Sequence, residues 1–289
     1  MSRNTNFDYS FLVLAPRKRK AILAVWDFCR AIDDTVDENI LIVEGQANLK
    51  PWIAINKTDA LNHWRQEVAR CFEGKKPLTR QGLSLQLCLR EFNLPRDAFE
   101  DLIDGVGMDL AHKRYTTFQE LTEYCRRVAS TVGLICIEIF GYRDPRTRDY
   151  AINLGIALQL TNIIRDVAID YAKGRVYLPL EDLQRFRCTE VDLGKGDVTP
   201  KLRALLEYQC QRAHRYYALA TSTLPTVDVK RVVAAEIMGG IYFEILCRVE
   251  RLGYDVFTRH IHVPRSKRAL IAATVWCGRR WNLKSFGVR

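Results

Sequence analysis

The sequence has few of the features that indicate a zinc-binding, redox-active or secreted protein. Its 289 residues include nine cysteines, an odd number, and no two of them form a CxxC pair. That spacing is the usual mark of a zinc site or a thioredoxin-like motif, so both are unsupported. Most of the cysteines fall singly inside apolar helical patterns. We therefore expect reduced thiols in the core of a cytoplasmic protein.

Long apolar runs and basic tails are also missing. The N-terminal residues lack the apolar stretch of a signal peptide, and the apolar run at 269–277 is well short of the ~20 residues that a spanning helix needs. We expect a soluble protein, with peripheral binding to the inner face of the membrane as an alternative. The 44 basic and 34 acidic residues give a net charge of +10, which indicates an anionic partner. Without a basic tail or zinc-finger spacing, that partner is not expected to be nucleic acid.

Strand-like alternation is scarce, and helical periodicity runs through almost the whole chain. The predicted helices cover 16–38, 58–72, 79–92, 95–110, 118–140, 145–171, 200–220, 227–252 and 265–280, with a looser segment at 39–58. No repeat, low-complexity tract or linker marks a domain boundary. The sequence therefore predicts one all-α domain over residues 1–289, with about ten helices around a central cavity.

Two clusters of metal-binding side chains stand at helical spacing, far apart in the chain. Their members, in chain order, are Asp33, Asp34, Asp37, Asn162, Asp166 and Asp170. Residues four apart share a helix face, about 6 Å apart along its axis. Either cluster alone is typical of a solvated helix face. If the two faces meet, they form a cage of oxygen ligands suited to Mg²⁺ holding a diphosphate.

Four segments carry a resemblance to a known family. They are FCRAIDDTVDE, EYCRRVASTVG, LGIALQLTNIIRDVAIDYAKGRVYLP and GYDVFTRHIHVPRSKRALIA. Together they resemble the squalene and phytoene synthases, which are head-to-head prenyltransferases of the all-α isoprenoid synthase fold. The resemblance runs from about residue 7 to residue 276. The doubled aspartate of DDTVDE is more similar to the bacterial presqualene diphosphate synthases of hopanoid pathways than to phytoene synthases.

The resemblance implies a reaction and a metal. Two molecules of farnesyl diphosphate would place their tails in apolar tunnels and condense to presqualene diphosphate, with release of diphosphate, in squalene or hopanoid biosynthesis. Mg²⁺, or Mn²⁺ in its place, would be held by Asp33 and Asp37 on one side and by Asn162, Asp166 and Asp170 on the other. NADPH is not expected, because presqualene diphosphate forms before any reductive step.

The resemblance also implies side chains around the diphosphate and the reacting carbons. Arg30, Arg165 and Arg175 are candidates for diphosphate contacts, since a guanidinium matches phosphate geometry. A structural pair with an aspartate is the alternative for each. Tyr124 matches a tyrosine that the family places near the reacting carbons, where it would assist proton removal or stabilise positive charge. Its alternative is a buried aromatic with a satisfied hydroxyl.

Four more residues carry weaker signals. Tyr242 is a candidate of the same kind as Tyr124, although core packing explains it as well. Gln159 aligns with a polar residue of the second motif and is expected to orient a phosphate or a water. Ser10 and Phe11 match a stretch that lines the substrate entrance in relatives.

Three positions depart from the family pattern. Gly107 stands where many relatives have an acidic residue, which leaves Asp109 as the carboxylate of its segment. Asp27 adds charge beside the first cluster, and Ile169 removes charge from the second. We expect these changes to bear on substrate choice or metal affinity, while every expected ligand is retained.

Three other functions remain open from the sequence. A phytoene synthase would use the same ligands with geranylgeranyl diphosphate, and tunnel depth would separate the two enzymes. A complete squalene synthase would need NADPH for its reductive second step. A non-catalytic helical scaffold would have no need of repelling carboxylates, so the four retained aspartates argue against it. A downstream squalene-forming enzyme is a candidate to receive the product, and the net charge leaves docking on an anionic membrane open.

Overall fold

The computed structural model describes residues 8–37, 56–111, 114–258 and 261–280, and these form thirteen α-helices. The helices are α1 Asp8–Phe11, α2 Pro16–Asp37, α3 Lys57–Phe72, α4 Arg80–Leu89, α5 Arg96–Ala111, α6 Phe118–Cys125, α7 Thr131–Phe140, α8 Thr147–Ala172, α9 Leu180–Arg185, α10 Glu190–Gly194, α11 Pro200–Thr223, α12 Val233–Arg251 and α13 Arg265–Arg280. A π-helical turn, Arg126–Ser130, joins α6 to α7. The all-α prediction is confirmed.

Several helices begin where the sequence supplies a capping side chain. Thr79, Thr117 and Thr199 precede α4, α6 and α11, and each hydroxyl accepts a hydrogen bond from a backbone N–H in the first turn. Asn56 does the same for α3. Each such cap contributes ~1 kcal/mol, so the boundaries of these helices follow from local chemistry.

Helix α8 lies at the centre of the fold. Its 26 residues span about 39 Å at 1.5 Å per residue, and it packs against α7, α11, α12 and the π-helical turn. It is long and apolar enough to cross a membrane, but half of its most apolar stretch is buried inside the protein. A Cβ at Gly155 would lie 2.6 Å from Cα of Ser130, so only glycine allows α8 to approach the turn this closely.

Helix α2, which carries the first carboxylate cluster, packs against α3, α4, α5 and α7. The Phe28 ring is fully buried and makes edge contacts with Trp64 and Phe99, at centroid distances of 5.3 and 5.8 Å. The indole N–H of Trp64 donates to Oγ1 of Thr35 at 2.9 Å. These contacts on both sides of Asp33 fix the turn of α2 that presents it.

The predicted helices match observed ones, with three differences. The helix predicted over 118–140 is interrupted by the π-helical turn, and the one predicted over 227–252 begins at Val233. Helices α1, α9 and α10 were not predicted, because four to six residues carry too little periodicity. Of the segment predicted to be looser, 39–58, residues 39–55 lie outside the described residues.

The cysteines are mainly core residues. Six are buried, Cys136 and Cys247 are half-buried, and Cys277 is exposed. Burial raises the pKa of the Cys71 thiol to about 12 and that of Cys88 to about 11. Thiols with such pKa values remain protonated at neutral pH, which is typical of structural cysteines.

Candidate active site

The two carboxylate clusters line one cavity, which we call the polar chamber. It has a volume of about 330 Å³. Asp33 and Asp34 reach it from α2, and Asp166 and Asp170 reach it from the C-terminal half of α8. The expectation that the two faces meet is therefore fulfilled for these residues. Asp37 is the last residue of α2, and its side chain lies outside the described residues.

On α8, the carboxylates are partly buried and close to one another. Asp166 forms a two-point pair with Arg165, in which Nε donates to Oδ1 at 2.8 Å and Nη2 donates to Oδ2. Burial, and then the neighbouring Asp166 charge, raises the pKa of Asp170 to about 7, although Lys173 and Arg175 partly offset the shift. A divalent cation beside Asp170 would stabilise its charged form.

Asn162 lies one turn before Asp166 and has an unused acceptor. Its Oδ1 is buried without a hydrogen-bond partner among the described residues, and its Nδ2 donates to Oε1 of Gln159 at 3.4 Å. A buried acceptor normally has a partner, because leaving it unpaired costs roughly 1–3 kcal/mol. A metal ion, a water or a bound ligand would supply that partner.

These donors fit Mg²⁺, a hard cation that prefers carboxylate and amide oxygens. In the part of the chain that the structure describes, no three acidic, histidine or cysteine side chains are grouped closely enough to hold a metal by themselves. This agrees with the usual Mg²⁺ site, in which one or two carboxylates are completed by waters and phosphate oxygens.

The basic candidates also face the polar chamber. Arg30, Arg165 and Arg175 all line it. Arg30 donates from Nε to Oδ1 of Asp34 at 3.2 Å, one helical turn along α2. This pair is half-exposed, so it is a weak structural contact and leaves the guanidinium available to an anion.

A cluster of tyrosines closes another side of the chamber. Tyr124 and Tyr177 both donate their hydroxyls to Asp109, at 3.0 Å to Oδ2 and 2.8 Å to Oδ1. Their rings stack at 5.2 Å, and Tyr115 stacks on Tyr177 at 5.9 Å. Burial, followed by the charge of Asp109, raises the pKa of both Tyr124 and Tyr177, so both remain protonated phenols at neutral pH.

Sequence reasoning missed Tyr177 and the role of Asp109. Tyr177 follows α8 in the GRVYLP segment, and this segment is held by the parallel bridge between Arg114 and Val176. The backbone N–H of Leu180 also donates to O of Tyr115 at 2.9 Å. The signal that could have found Tyr177 was its place two residues after Arg175 in a motif already singled out.

A second space, which we call the apolar cavity, adjoins the polar chamber and has a volume of about 380 Å³. Its aromatic lining side chains are Phe11, Trp26, Phe140, Tyr150 and Tyr242, and Met238 also lines it. The two spaces share a boundary. The polar residues that line both are Arg30, Asp33, Gln159, Asn162 and Arg165.

The weaker candidates divide between these spaces. Phe11 and Tyr242 line the apolar cavity, and Gln159 lies on the boundary. Ser10 is fully buried, but among the described residues it lines neither space. Ser10 is the chain neighbour of Phe11, which does line the apolar cavity.

The departures from the family pattern lie away from the chamber. Asp27 pairs with Arg80 at 3.4 Å between exposed side chains, so the expectation that it adds charge to the first cluster is wrong. Ile169 is 51% exposed and is not among the side chains that line the chamber. Gly107 has room for a Cβ, which would lie 3.5 Å from Cδ1 of Leu61.

Known proteins share both the sequence and the fold. The phytoene synthase of Arthrospira platensis is 37% identical over 268 residues, which cover 88% of this chain and 82% of that protein. The phytoene synthase of Mycobacterium tuberculosis is 34% identical over 281 residues, which cover 94% and 88%.

Solved structures show the same arrangement of helices. A dehydrosqualene synthase in complex with ligand superposes with a TM-score of 0.85 and 28% identity, covering 96% of this chain and 93% of that one. The squalene synthase HpnC from Alicyclobacillus acidocaldarius superposes with a TM-score of 0.72 and 26% identity, covering 86% and 89%.

A family model described as squalene/phytoene synthase matches residues 2–267. That match includes both carboxylate clusters, the tyrosine cluster and the helices that line the apolar cavity. The chain has the isoprenoid synthase fold and belongs to the squalene/phytoene synthase family of prenyltransferases.

Proposed function

We propose that this protein condenses two molecules of farnesyl diphosphate head to head, with Mg²⁺, to give presqualene diphosphate and free diphosphate. The observation that carries the proposal is the boundary shared by the polar chamber and the apolar cavity. A prenyl diphosphate has an anionic end and an apolar tail, so it matches a charged space that opens directly into an apolar one.

The metal would be held in the polar chamber. In this proposal Asp33, with Asp37 at the end of α2, holds Mg²⁺ on one side, and Asn162, Asp166 and Asp170 of α8 hold it on the other. Waters and phosphate oxygens would complete each site. Bound there, Mg²⁺ or Mn²⁺ would neutralise charge on the diphosphate oxygens and so make diphosphate a better leaving group.

Three arginines complete the binding of the leaving group. Arg30 and Arg165 lie on the boundary, where the C1–O bond of the substrate would lie, and Arg175 lines the polar chamber only. Their guanidinium groups donate hydrogen bonds to phosphate oxygens and stabilise the charge that builds up as the bond breaks. The electron pair of the C1–O bond leaves with diphosphate, and an allylic cation remains.

The second farnesyl group then supplies the electrons that capture the cation. Its C2–C3 double bond attacks the allylic carbon, and loss of a proton from the adduct closes the cyclopropane ring. Tyr124 is the group we assign to that proton, because its hydroxyl can accept it while passing its own proton to Asp109. The apolar cavity keeps water from the cation, which would otherwise give an alcohol.

The choice of farnesyl over geranylgeranyl diphosphate rests on two supports. The doubled aspartate of the first motif resembles presqualene diphosphate synthases, and the superposed structures are a dehydrosqualene and a squalene synthase. Opposed to this, several sequence relatives above 30% identity are phytoene synthases. Condensation of two geranylgeranyl diphosphates to phytoene is therefore the second candidate.

A product assay distinguishes these candidates. Purified protein is given Mg²⁺ and both prenyl donors, without NADPH, and the products are identified by mass. We expect presqualene diphosphate from the farnesyl donor. Exclusive turnover of the geranylgeranyl donor would instead support a phytoene synthase, and no turnover of either donor would support a helical scaffold without activity.

The cellular setting belongs to the same proposal. We infer a cytoplasmic enzyme that does not use NADPH and that passes presqualene diphosphate to a downstream squalene-forming enzyme. The chemistry of the product supports a hand-off, since a long apolar molecule partitions poorly into water. Adding NADPH to the assay should leave the product unchanged.

A further inference from the structure

Helix α13 has one face against the protein and one face with an unusual composition. Val275 and Arg268 are buried, and Ile271 and Ala272 are half-buried against the core. The exposed side chains between the buried positions are almost all apolar or small. They are Ala269, Leu270, Ala273, Thr274, Trp276 and Cys277, which we call the α13 outer face.

The α13 outer face contains two large exposed apolar side chains. Leu270 is 58% exposed and Trp276 is 43% exposed. Single exposed apolar residues are common on protein surfaces and need no explanation. Here, however, the ten residues 269–278 contain no charged side chain at all, although the face is open to solvent. An exposed helix face of a soluble protein normally carries charged residues.

Charge on α13 is of one sign and gathered at its ends. The helix contains five basic residues and no acidic one. Arg265 and Lys267 are exposed in its first turn, and the sequence ends the helix with two further arginines. An apolar face with basic residues and an interfacial tryptophan is the pattern of a helix that lies on an anionic membrane.

The position of α13 connects this face to the apolar cavity. Helix α13 packs against α1 and α12. Phe11 of α1 and Met238 and Tyr242 of α12 line that cavity, whereas no described side chain of α13 does. A surface that binds α13 would therefore lie on the outer side of the wall that α1 and α12 form around the apolar cavity.

We propose that the α13 outer face docks this protein on an anionic lipid surface. Leu270 and Trp276 insert among the acyl chains, and Arg265 and Lys267 bind the lipid headgroups. With 16 residues, α13 is about 24 Å long, which is too short to cross a hydrocarbon core of about 30 Å, so it lies in the plane of the interface. This docking places the wall of the apolar cavity next to the lipid, from which apolar substrates come and to which apolar products go.

A second copy of the chain is a less suitable occupant of this face. In a two-fold dimer the same surface meets itself. Pairing two α13 helices would bring basic residues towards basic residues with no acidic side chain on either helix to compensate them. Anionic headgroups complement this charge instead.

The test is co-sedimentation of the full chain with vesicles. One set contains phosphatidylcholine alone, and the other contains phosphatidylcholine with phosphatidylglycerol. We expect binding to the anionic vesicles at least tenfold tighter than to the neutral ones. Leu270→Glu and Trp276→Glu should each weaken binding to anionic vesicles about tenfold. Replacing Arg265 and Lys267 together with neutral residues should weaken binding to anionic vesicles by about fivefold for each charge removed.

The matched control is Leu219→Glu on α11, where Leu219 is 46% exposed. It adds the same charge to a similarly exposed leucine elsewhere, and its binding should equal that of the unaltered protein. Circular dichroism checks that every variant stays folded. If the α13 variants bind as the control does, or if the unaltered protein ignores anionic vesicles, the proposal is wrong. A dimer in light scattering that Leu270→Glu dissociates, together with no vesicle binding, would identify a second copy as the occupant.

Discussion

The polar chamber and the apolar cavity share a boundary but are built on opposite principles. In the chamber, charged side chains pair with near neighbours, as Arg165 does with Asp166, and burial shifts pKa values, as at Asp170. The apolar cavity is lined mainly by aromatic and aliphatic side chains. In the proposed reaction the two spaces have separate roles. The polar chamber stabilises the leaving diphosphate, and the apolar cavity keeps water away from the cation.

The boundary between them is where the two functions must act on one molecule. Asn162 illustrates this, because it lines both spaces and its Oδ1 has no hydrogen-bond partner among the described residues. A binding site frequently leaves such polar atoms for the ligand to satisfy. A substitution on one side of the boundary therefore tests how far the other side depends on it.

The largest effect should come from removing a carboxylate of the polar chamber. Asp166→Ala removes the negative charge that Arg165 and a metal would share, and we expect kcat to fall roughly 10³-fold. Asp149→Ala, an exposed aspartate in the first turn of the same helix, should leave kcat unchanged. Initial rates across a Mg²⁺ titration measure both. Near-normal activity of Asp166→Ala would show that α8 does not hold the metal.

The next largest effect should come from the tyrosine cluster. Asp109→Asn keeps the side-chain size but removes the charge that accepts hydrogen bonds from Tyr124 and Tyr177, and kcat should fall about 10²-fold. Single-turnover product formation measures this loss.

Tyr115 supplies a control within the same cluster. Its hydroxyl is buried without a hydrogen-bond partner among the described residues. Tyr115→Phe therefore removes a polar group without breaking a hydrogen bond to any of them. We expect unchanged turnover and equal or slightly higher stability in thermal unfolding. A loss as large as that of Asp109→Asn would mean that packing, and not proton transfer, explains the cluster.

A smaller effect is expected from enlarging the apolar cavity. Met238→Ala removes a buried side chain from its wall, and the added space should raise the ratio of geranylgeranyl to farnesyl turnover by about tenfold. The change should also lower the free energy of unfolding by about 2–3 kcal/mol. Competition between the two donors in one reaction gives the ratio directly. An unchanged ratio would show that a part of the cavity other than Met238 limits the length of the prenyl tail.

The smallest effect should come from loosening α1 at the wall of the apolar cavity without changing the side chains that line the cavity. The Arg19 guanidinium donates to backbone O of Phe11 at 3.0 Å, of Leu12 at 2.7 Å and of Leu14 at 3.0 Å, and so holds the end of α1. Arg19→Ala should admit water and raise the share of prenyl alcohol roughly two- to threefold. Arg17→Ala, which removes an exposed pair with Glu91, is the control and should not change the products.

Much of this arrangement follows from local sequence patterns. The phase of α8 places Asn162, Asp166 and Asp170 on one face because each is four residues from the next. The same arithmetic places Ile169 beside this stripe, seven residues after Asn162, but its side chain is 51% exposed and does not line the chamber. Periodicity and capping residues therefore predict the long helices and the metal-binding stripe of α8.

Long-range contacts explain what the sequence did not reveal. Asp109 and Tyr177 are 68 residues apart, and their hydrogen bond depends on how α5 packs near the segment that follows α8. Asp27 was expected beside the first cluster, but Arg80 from α4 pairs with it on the outer surface. Neither contact has a spacing rule, because each depends on tertiary packing.

The central claim is that two prenyl diphosphates bind across the shared boundary, with Mg²⁺ between α2 and α8. Calorimetric titration of an unreactive farnesyl thiodiphosphate, whose C1–S bond does not break, tests this most directly when it is done with and without Mg²⁺. The account predicts two molecules bound per chain, only when Mg²⁺ is present, and loss of this metal dependence in Asp166→Ala. Equal binding without Mg²⁺, or binding that Asp166→Ala leaves intact, would contradict it.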